Sequence, residues 1–256
     1  MKALIFDLDD TLIVEAASAD SAFLETCQLA ESRYKVDPQE LHATVRETCR
    51  ILWQRTPVHS YCLEIGMSSW EGLWARFEGD DYNLKVLKNW APVYRFNSWY
   101  EALLKHKIDD KEFAAELAEE FPANRRKRHV IYDDAVPALE FFSQSHLLGL
   151  ITNGAPDLQW EKIKGAGIQN YFDEIVISGE VGFGKPNRRI YETILSRLKV
   201  TIKQVAIIGN NLRSDVQGAQ EIGIKAIWLN RIGRLRYNSV VPDFEISTLH
   251  ELKEIV

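Results

Sequence analysis

The sequence predicts an α/β fold, a parallel sheet with helices on both faces, interrupted by an inserted all-helical domain. Three observations predict it. The chain opens on an unbroken apolar run, Ala3-Leu4-Ile5-Phe6, partly β-branched and ended by Asp7, as expected of a strand buried on both faces. After Val130, strand-like and helix-like segments alternate, which is the pattern of a parallel sheet. Between residue 15 and about residue 128 the chain reads as helix after helix, with no convincing strand. The opening strand therefore belongs with the second half. The expected domains are an α/β core of residues 1–14 and 130–256 and a helical insert of residues 15–129, with junctions near residues 12–15 and 128–134.

Within the insert, the first helix is expected over residues 19–34. Asp37-Pro38-x-Glu40 opens the next, with an N-cap, a proline at N1 and a glutamate at N3. Ser68 or Ser69 can cap a third, in which Trp70 and Trp74 share a face four residues apart. Pro92 is expected to interrupt a helical stretch, with a further helix over 98–107. Asp109 or Asp110 starts another that carries Phe113, Leu117 and Phe121. Trp53, Trp70, Trp74, Trp90 and Trp99 all fall in the insert, and packing of its interior is the expected use of such large aromatics. The run Arg125-Arg126-Lys127-Arg128 reads as a solvated stretch of charge.

In the second half, a helix over 136–143 precedes a strand at 147–151. A helix over 158–164 leads to a strand at 174–177. A helix over 187–198 precedes a strand at 204–208, a helix at 215–222 and a strand at 225–229. A weak strand at 244–246 and a helix from Thr248 end the chain.

The composition of the 256 residues is that of an ordinary globular chain, 46% apolar and 27% charged, with ample material for a core. A net charge of −6 gives no reason to expect nucleic acid or an anionic membrane as partner. The opening apolar run is too short for a signal peptide and meets acids at once. No apolar stretch approaches the roughly 20 residues that span a bilayer. Cys27, Cys49 and Cys62 are odd in number and lack metal-ligand spacing, so free thiols in the cytoplasm are expected.

Chemistry points to the end of the opening strand. Asp7, Asp9 and Asp10 crowd a turn, where like charges disfavour one another's ionisation. A divalent cation would compensate. Mg²⁺ suits because it takes one or two carboxylates and keeps water and substrate phosphate in its other positions. Gly179-x-x-x-x-Gly184-Lys185 superficially matches a P-loop, but Pro186 stands where the metal-binding Ser or Thr should be, and a nucleotide site is rejected.

The order strand, Asp7, apolar, Asp9, x, Thr11 resembles the first motif of the haloacid dehalogenase-like hydrolases. Ile151-Thr152-Asn153-Gly154 resembles their second motif, Gly184-Lys185-Pro186 before a helix their third, and the stretch Gly209-Asn210-Asn211-Leu212-Arg213-Ser214-Asp215 their fourth. Each later motif is weak alone, whereas the ordered set spans the core. The resemblance implies a Rossmann-like sheet of order 3-2-1-4-5 with the opening strand central, and a ligand crevice where the winding direction reverses. It implies that Asp7 is the nucleophile that forms an aspartyl-phosphate. Asp9 would protonate the leaving oxygen and then activate water, and its main-chain carbonyl would help hold the metal. Thr152, Asn153, Gly154 and Lys185 would bind phosphate, Lys185 also neutralising the nucleophile. Mg²⁺ would be held by Asp7, Asp9, Asn210 and Asp215. At Asn210 the chain departs from the family, which usually has aspartate there, so a weaker metal site is implied.

The function expected from this resemblance is a Mg²⁺-dependent phosphatase acting on a small phosphorylated metabolite, nearest to the sugar-phosphate and nucleotide phosphatases. A dehalogenase is disfavoured, because a departing halide does not need the protonation that Asp9 suits. The alternatives are a phosphotransferase of the sugar phosphomutase kind, using the same residues, and a weakly active phosphate-ligand-binding module with a decayed metal site.

Overall fold

The computed structural model describes residues 1–236 and 240–256. The chain divides into two compact units, one of residues 1–14, 130–154 and 159–256, the other of residues 15–129 and 155–158.

The first unit is built on a six-stranded sheet of order β3-β2-β1-β4-β5-β6, with every pair of neighbours parallel. Its strands are β1 (Ala3–Phe6), β2 (Leu147–Thr152), β3 (Glu174–Ile177), β4 (Val205–Gly209), β5 (Lys225–Leu229) and β6 (Phe244–Ile246). The expected α/β class and strand order are observed, and the weak strand at 244–246 extends the sheet beyond β5. All four residues of β1 are fully buried. Leu4 and Phe6 pack into one apolar layer with Leu139 and Phe142, and Ala3 and Ile5 into the opposite layer with Ile190 and Ile194. That two-sided burial is why the strand is continuously apolar rather than alternating.

Helices α6 (Ala135–Ser143) and α8 (Arg188–Leu198) form close to where the sequence places them. The segment expected as a helix over 215–222 differs. Leu212–Gln217 is a π-helix, followed by a single α turn, Gly218–Glu221. Asn211 is responsible: its side chain accepts from the amides of Arg213 and Ser214, so the helix starts three residues early, at Leu212. The wide turn then lets the Asp215 carboxylate reach back to the Asn211 amide. The C-terminal segment is a 3₁₀ helix, Leu249–Glu254, opened by a Thr248–Glu251 capping box.

The second unit is helical throughout: α1 (Ala16–Tyr34), α2 (Pro38–Trp53), α3 (His59–Glu64), α4 (Tyr82–Lys105) and α5 (Lys111–Arg126). Asp37 and Asp110 cap α2 and α5 as expected. Three expectations are corrected. Pro92 lies inside α4, which runs unbroken. One ladder hydrogen bond is lost there, but the buried stripe Leu84, Leu87, Ala91, Tyr94, Trp99 spans both sides of the proline and outweighs it.

The helix expected from Ser68 or Ser69 is only the 3₁₀ turn Glu71–Leu73. Ser68 does not cap it; its amide and hydroxyl both donate to the Glu71 carboxylate. A Cβ on Gly72 would lie 2.3 Å from the Trp53 ring, so this turn is shaped by close packing rather than by helical propensity. Finally, the basic run is not a solvated stretch. Arg125 is fully buried, pairs with Glu15 and lies over the Trp74 ring at 4.8 Å. Arg126 donates to the Trp74 carbonyl and Arg128 pairs with Glu25.

Trp53, Trp74 and Trp99 are buried, and Trp70 and Trp90 are partly so, packed on the same core. The three cysteines are buried free thiols. Among the described residues, no helix is long and apolar enough to cross a membrane.

Candidate active site

Strand register brings the motif residues together. β1 pairs with β2 and β4 so that Phe6 lies beside Leu150 and Ile208. The next residue, Asp7, donates its amide to the Ile208 carbonyl at 2.9 Å. Asp7, Thr152 and Asn210 therefore stand at the carboxyl ends of three adjacent strands. The winding direction reverses at β1, and ligands of open α/β sheets bind at that reversal.

Beyond Asp7 the chain turns sharply. The Leu8 carbonyl accepts from the amides of Thr11, Leu12 and Ile13, and Asp10 sits at φ 56°, a left-handed conformation that aspartate tolerates better than most residues. Asp10 thus serves the turn. The Thr11 carbonyl is tied at 2.9 Å to Arg231, whose guanidinium forks onto Asp134 at 2.8 and 2.9 Å.

Asp7 is buried and doubly held. Lys185 Nζ donates to its Oδ1 at 2.5 Å, and Thr11 Oγ1 to its Oδ2 at 2.9 Å. Lys185 also donates to Asp215 Oδ1 at 2.7 Å, so one buried ammonium bridges two buried carboxylates. The Asp7 carboxyl is raised to about 7: burial raises it most, Lys185 pulls against that, and the Asp215 and Asp9 carboxylates add to the rise. Burial opposes the charge on Lys185, but Asp215 and Asp7 outweigh it and raise the lysine above its ordinary value. Asp215 Oδ2 accepts from the Asn211 amide at 2.9 Å. A Cβ on Gly209 would meet the Asp215 side chain at 2.4 Å, so glycine at the end of β4 makes room for that carboxylate.

Asn153 ties the second and third motifs together. Its Oδ1 accepts from the Lys185 amide at 2.8 Å and its Nδ2 donates to the Lys185 carbonyl at 2.9 Å. Gly154 has φ 141°, outside the usual range of side-chain-bearing residues, and its amide donates to Ser178 Oγ.

Asp9 does not join the Lys185 cluster. Its carboxylate is taken by Lys162 Nζ, at 3.1 Å to both oxygens, and by Gln159 Nε2 at 3.2 Å to Oδ2. Asn210 is half-buried, and its main-chain carbonyl accepts from the Trp228 indole at 2.9 Å.

Among the described residues, no three His, Cys, Asp or Glu side chains converge as a metal cluster, because Lys185 stands between Asp7 and Asp215 and Asp9 faces Lys162. The donor chemistry nonetheless fits a small hard cation: two carboxylates, the Asn210 amide oxygen and the Asp9 main-chain carbonyl are all oxygens. Mg²⁺ characteristically takes one or two carboxylates and leaves other positions to water and phosphate.

Sequence reasoning missed Gln159, Lys162 and the roles of Thr11 and Asn211. Thr11 lies inside the opening motif, and Asn211 stands two residues before a helical amide it caps, a readable signal. For Gln159 and Lys162 the only signal is their spacing of three on a helix directly after the second motif.

A family model for haloacid dehalogenase-like hydrolases matches residues 1–223. Phosphoserine phosphatase of Thermus thermophilus is 35% identical over 253 residues, 98% of each chain. N-acylneuraminate-9-phosphatase of Mus musculus is 27% identical over 260 residues, covering all of this chain and 94% of that one. The crystal structure of the HAD-hydrolase YfnB from Bacillus subtilis, bound to magnesium, superposes with a TM-score of 0.68 over 99% of this chain and 97% of that one; at 21% identity it shows a shared fold. The four motifs, their assembly at one end of the sheet and these relatives agree: the chain belongs to the haloacid dehalogenase-like hydrolase family, as a phosphoric monoester hydrolase.

Proposed function

We propose that the protein hydrolyses a small organic phosphate monoester in a Mg²⁺-dependent reaction, with Asp7 as nucleophile, and that the helical unit acts as a cap that selects the ester. The observation that carries this reading is the setting of Asp7. It is a buried carboxylate at the end of the central strand, oriented by Thr11 and charge-balanced by Lys185. Attack of Asp7 on phosphorus breaks the ester P–O bond and forms an aspartyl-phosphate. Asp9 supplies the proton to the departing alkoxide and, as carboxylate, then takes one from the water that hydrolyses the acyl phosphate. Thr152 and the Asn153 amide are assigned to the phosphoryl oxygens, and Lys185 to the charge that builds there; the Gly154 amide, expected from the sequence to join them, is instead engaged by Ser178 Oγ. Mg²⁺, held by Asp7, the Asp9 carbonyl, Asn210 and Asp215, would add Lewis-acid stabilisation of phosphoryl charge.

A panel of phosphate monoesters, assayed with and without Mg²⁺, tests the reading. Its members should include phosphoserine, which the name of the Thermus relative makes the first choice, with sugar phosphates and nucleotides. Release of phosphate from at least one ester, abolished by chelator, is expected. Uniform inactivity in Mg²⁺ overturns it.

Two variants refine the assignment. Asp9→Asn should slow alkyl esters about 10²–10⁴-fold, the usual worth of acid–base assistance, and slow esters of acidic phenols much less. Equal losses on both would count against leaving-group protonation. Asn210→Asp replaces an amide dipole with a full charge, which hard cations favour. The Mg²⁺ concentration for half-maximal rate should fall. The variant should also melt lower than the parent in chelator, where one more carboxylate adds repulsion, and gain more on adding Mg²⁺. Identical Mg²⁺ responses would remove Asn210 from the metal site.

A further inference from the structure

Asp9 is seated on two side chains that no step above uses. Helix α7 (Pro156–Gly165) follows the second motif, and on it Gln159 and Lys162, three residues apart, share a face. Both are fully buried. A buried ammonium needs a charged partner, and Lys162 has the Asp9 carboxylate, 3.1 Å from each oxygen. Gln159 Nε2 lies within hydrogen-bond reach of Asp9 Oδ2, Thr152 Oγ1 and the Asn153 carbonyl, while its buried Oε1 has no hydrogen-bond partner among the described residues. Leaving that acceptor unpaired costs free energy, so the half of this amide that makes hydrogen bonds is the donor.

The backbone accommodates this side chain: a Cβ on Gly154 would come within 3.1 Å of Gln159 Cδ. Glycine there serves Gln159 as well as the strained φ. A carboxylate has about four lone-pair sites. Lys162 and Gln159 occupy three, and the Asp9 side chain is 27% exposed. One oxygen edge therefore remains for an incoming group.

We propose that Lys162 and Gln159 are positioning residues that orient the Asp9 carboxylate so that its remaining edge meets the leaving oxygen of the substrate. The proposal rests on the acid–base reading of Asp9 given above. Both are placed to act through Asp9, and Gln159 also reaches Thr152 Oγ1. A purely structural role would alter folding and slow all esters alike, whereas positioning concerns only the step in which a proton is delivered.

The experiment uses the full chain with Lys162→Met, Gln159→Met, Asp9→Asn and the double variant Lys162→Met/Asp9→Asn. Steady-state kinetics are measured in Mg²⁺ on 4-nitrophenyl phosphate and on an alkyl ester turned over by the parent. Misplacement of a reacting group by about an ångström costs on the order of 10²-fold. Accordingly kcat on the alkyl ester should fall roughly 10- to 100-fold for Lys162→Met, with KM little changed and a much smaller loss on the aryl ester. In the Asp9→Asn background, Lys162→Met should add no further leaving-group-dependent loss.

Equal losses on both esters, or full additivity in the double variant, overturn the proposal while leaving Asp9 in its role. If Asp9→Asn itself shows no leaving-group preference, the acid–base reading fails and the proposal fails with it. Should Lys162→Met not fold, Gln159→Met, which removes a neutral donor and strands no buried charge, decides by the ratio of its alkyl to its aryl loss, since an effect through Thr152 falls on both esters alike.

Discussion

Asp7→Asn is expected to abolish turnover and leave the fold intact. An amide nitrogen or oxygen cannot form the acyl phosphate, and loss of a covalent nucleophile in other hydrolases lowers kcat on the order of 10⁶-fold. The fold should survive because the substitution is nearly isosteric and each partner retains a bond. The amide oxygen can face Lys185, the amide nitrogen can donate to Thr11 Oγ1, and Lys185 keeps its 2.7 Å bond to Asp215. The melt in Mg²⁺ should accordingly stay close to that of the parent. Phosphate release that remains within 10²-fold of the parent and scales with variant concentration, in a preparation free of host phosphatase, would defeat the assignment of Asp7. A complementary readout is trapping: the parent mixed with substrate and quenched in acid should gain the mass of one phosphoryl group, and the variant should not.

The legible parts of this protein are those where one local rule governs. β1 reads as a two-sided buried strand because all four of its residues are apolar, and they are all buried. The ends of β1, β2 and β4 read as a site because polar residues follow apolar runs there, and the parallel register places those ends side by side. Where tertiary packing overrides a local rule, the sequence misleads. Pro92 says stop, but buried residues on either side keep α4 continuous. Arg125 says solvent, but Glu15 and Trp74 accommodate it inside. Trp70 and Trp74 suggest a helical face, but Gly72 is pressed against Trp53 and only a 3₁₀ turn forms.

The same distinction applies within the site. Lys185 is legible because Gly184 and Pro186 flag its loop. Lys162 is not, because a lysine in a helix is ordinarily a surface residue, and nothing local reveals that this one faces Asp9. The crowding of Asp7, Asp9 and Asp10 seen in sequence is resolved by separation. Asp7 goes to Lys185, Asp9 to Lys162, and Asp10 to the left-handed position of the turn.

Lys185→Met should produce the largest combined loss of stability and activity. The ammonium lies 2.5 Å from Asp7 and 2.7 Å from Asp215, with its side chain 3% exposed and theirs 10% and 1%. Methionine fills a similar volume but leaves two buried carboxylates facing each other without a cation. Breaking a buried ion pair by removing one partner typically costs about 3–5 kcal/mol, because the stranded charge cannot be resolvated. For a chain of this size that corresponds to a fall in Tm of roughly 6–20 °C, measured in chelator. Adding Mg²⁺ should recover more of the loss in the variant than it adds to the parent, since a cation bound by the same oxygens replaces the missing charge. Turnover should not recover. Removing one electrostatic stabiliser of transition-state charge costs about 10²–10³-fold, and here the nucleophile is perturbed as well. Adding Asp215→Asn removes one of the two stranded charges, so the double variant should melt above Lys185→Met while remaining inactive. A single variant that melts like the parent in chelator would show that the Asp7–Lys185–Asp215 bridge contributes nothing to stability.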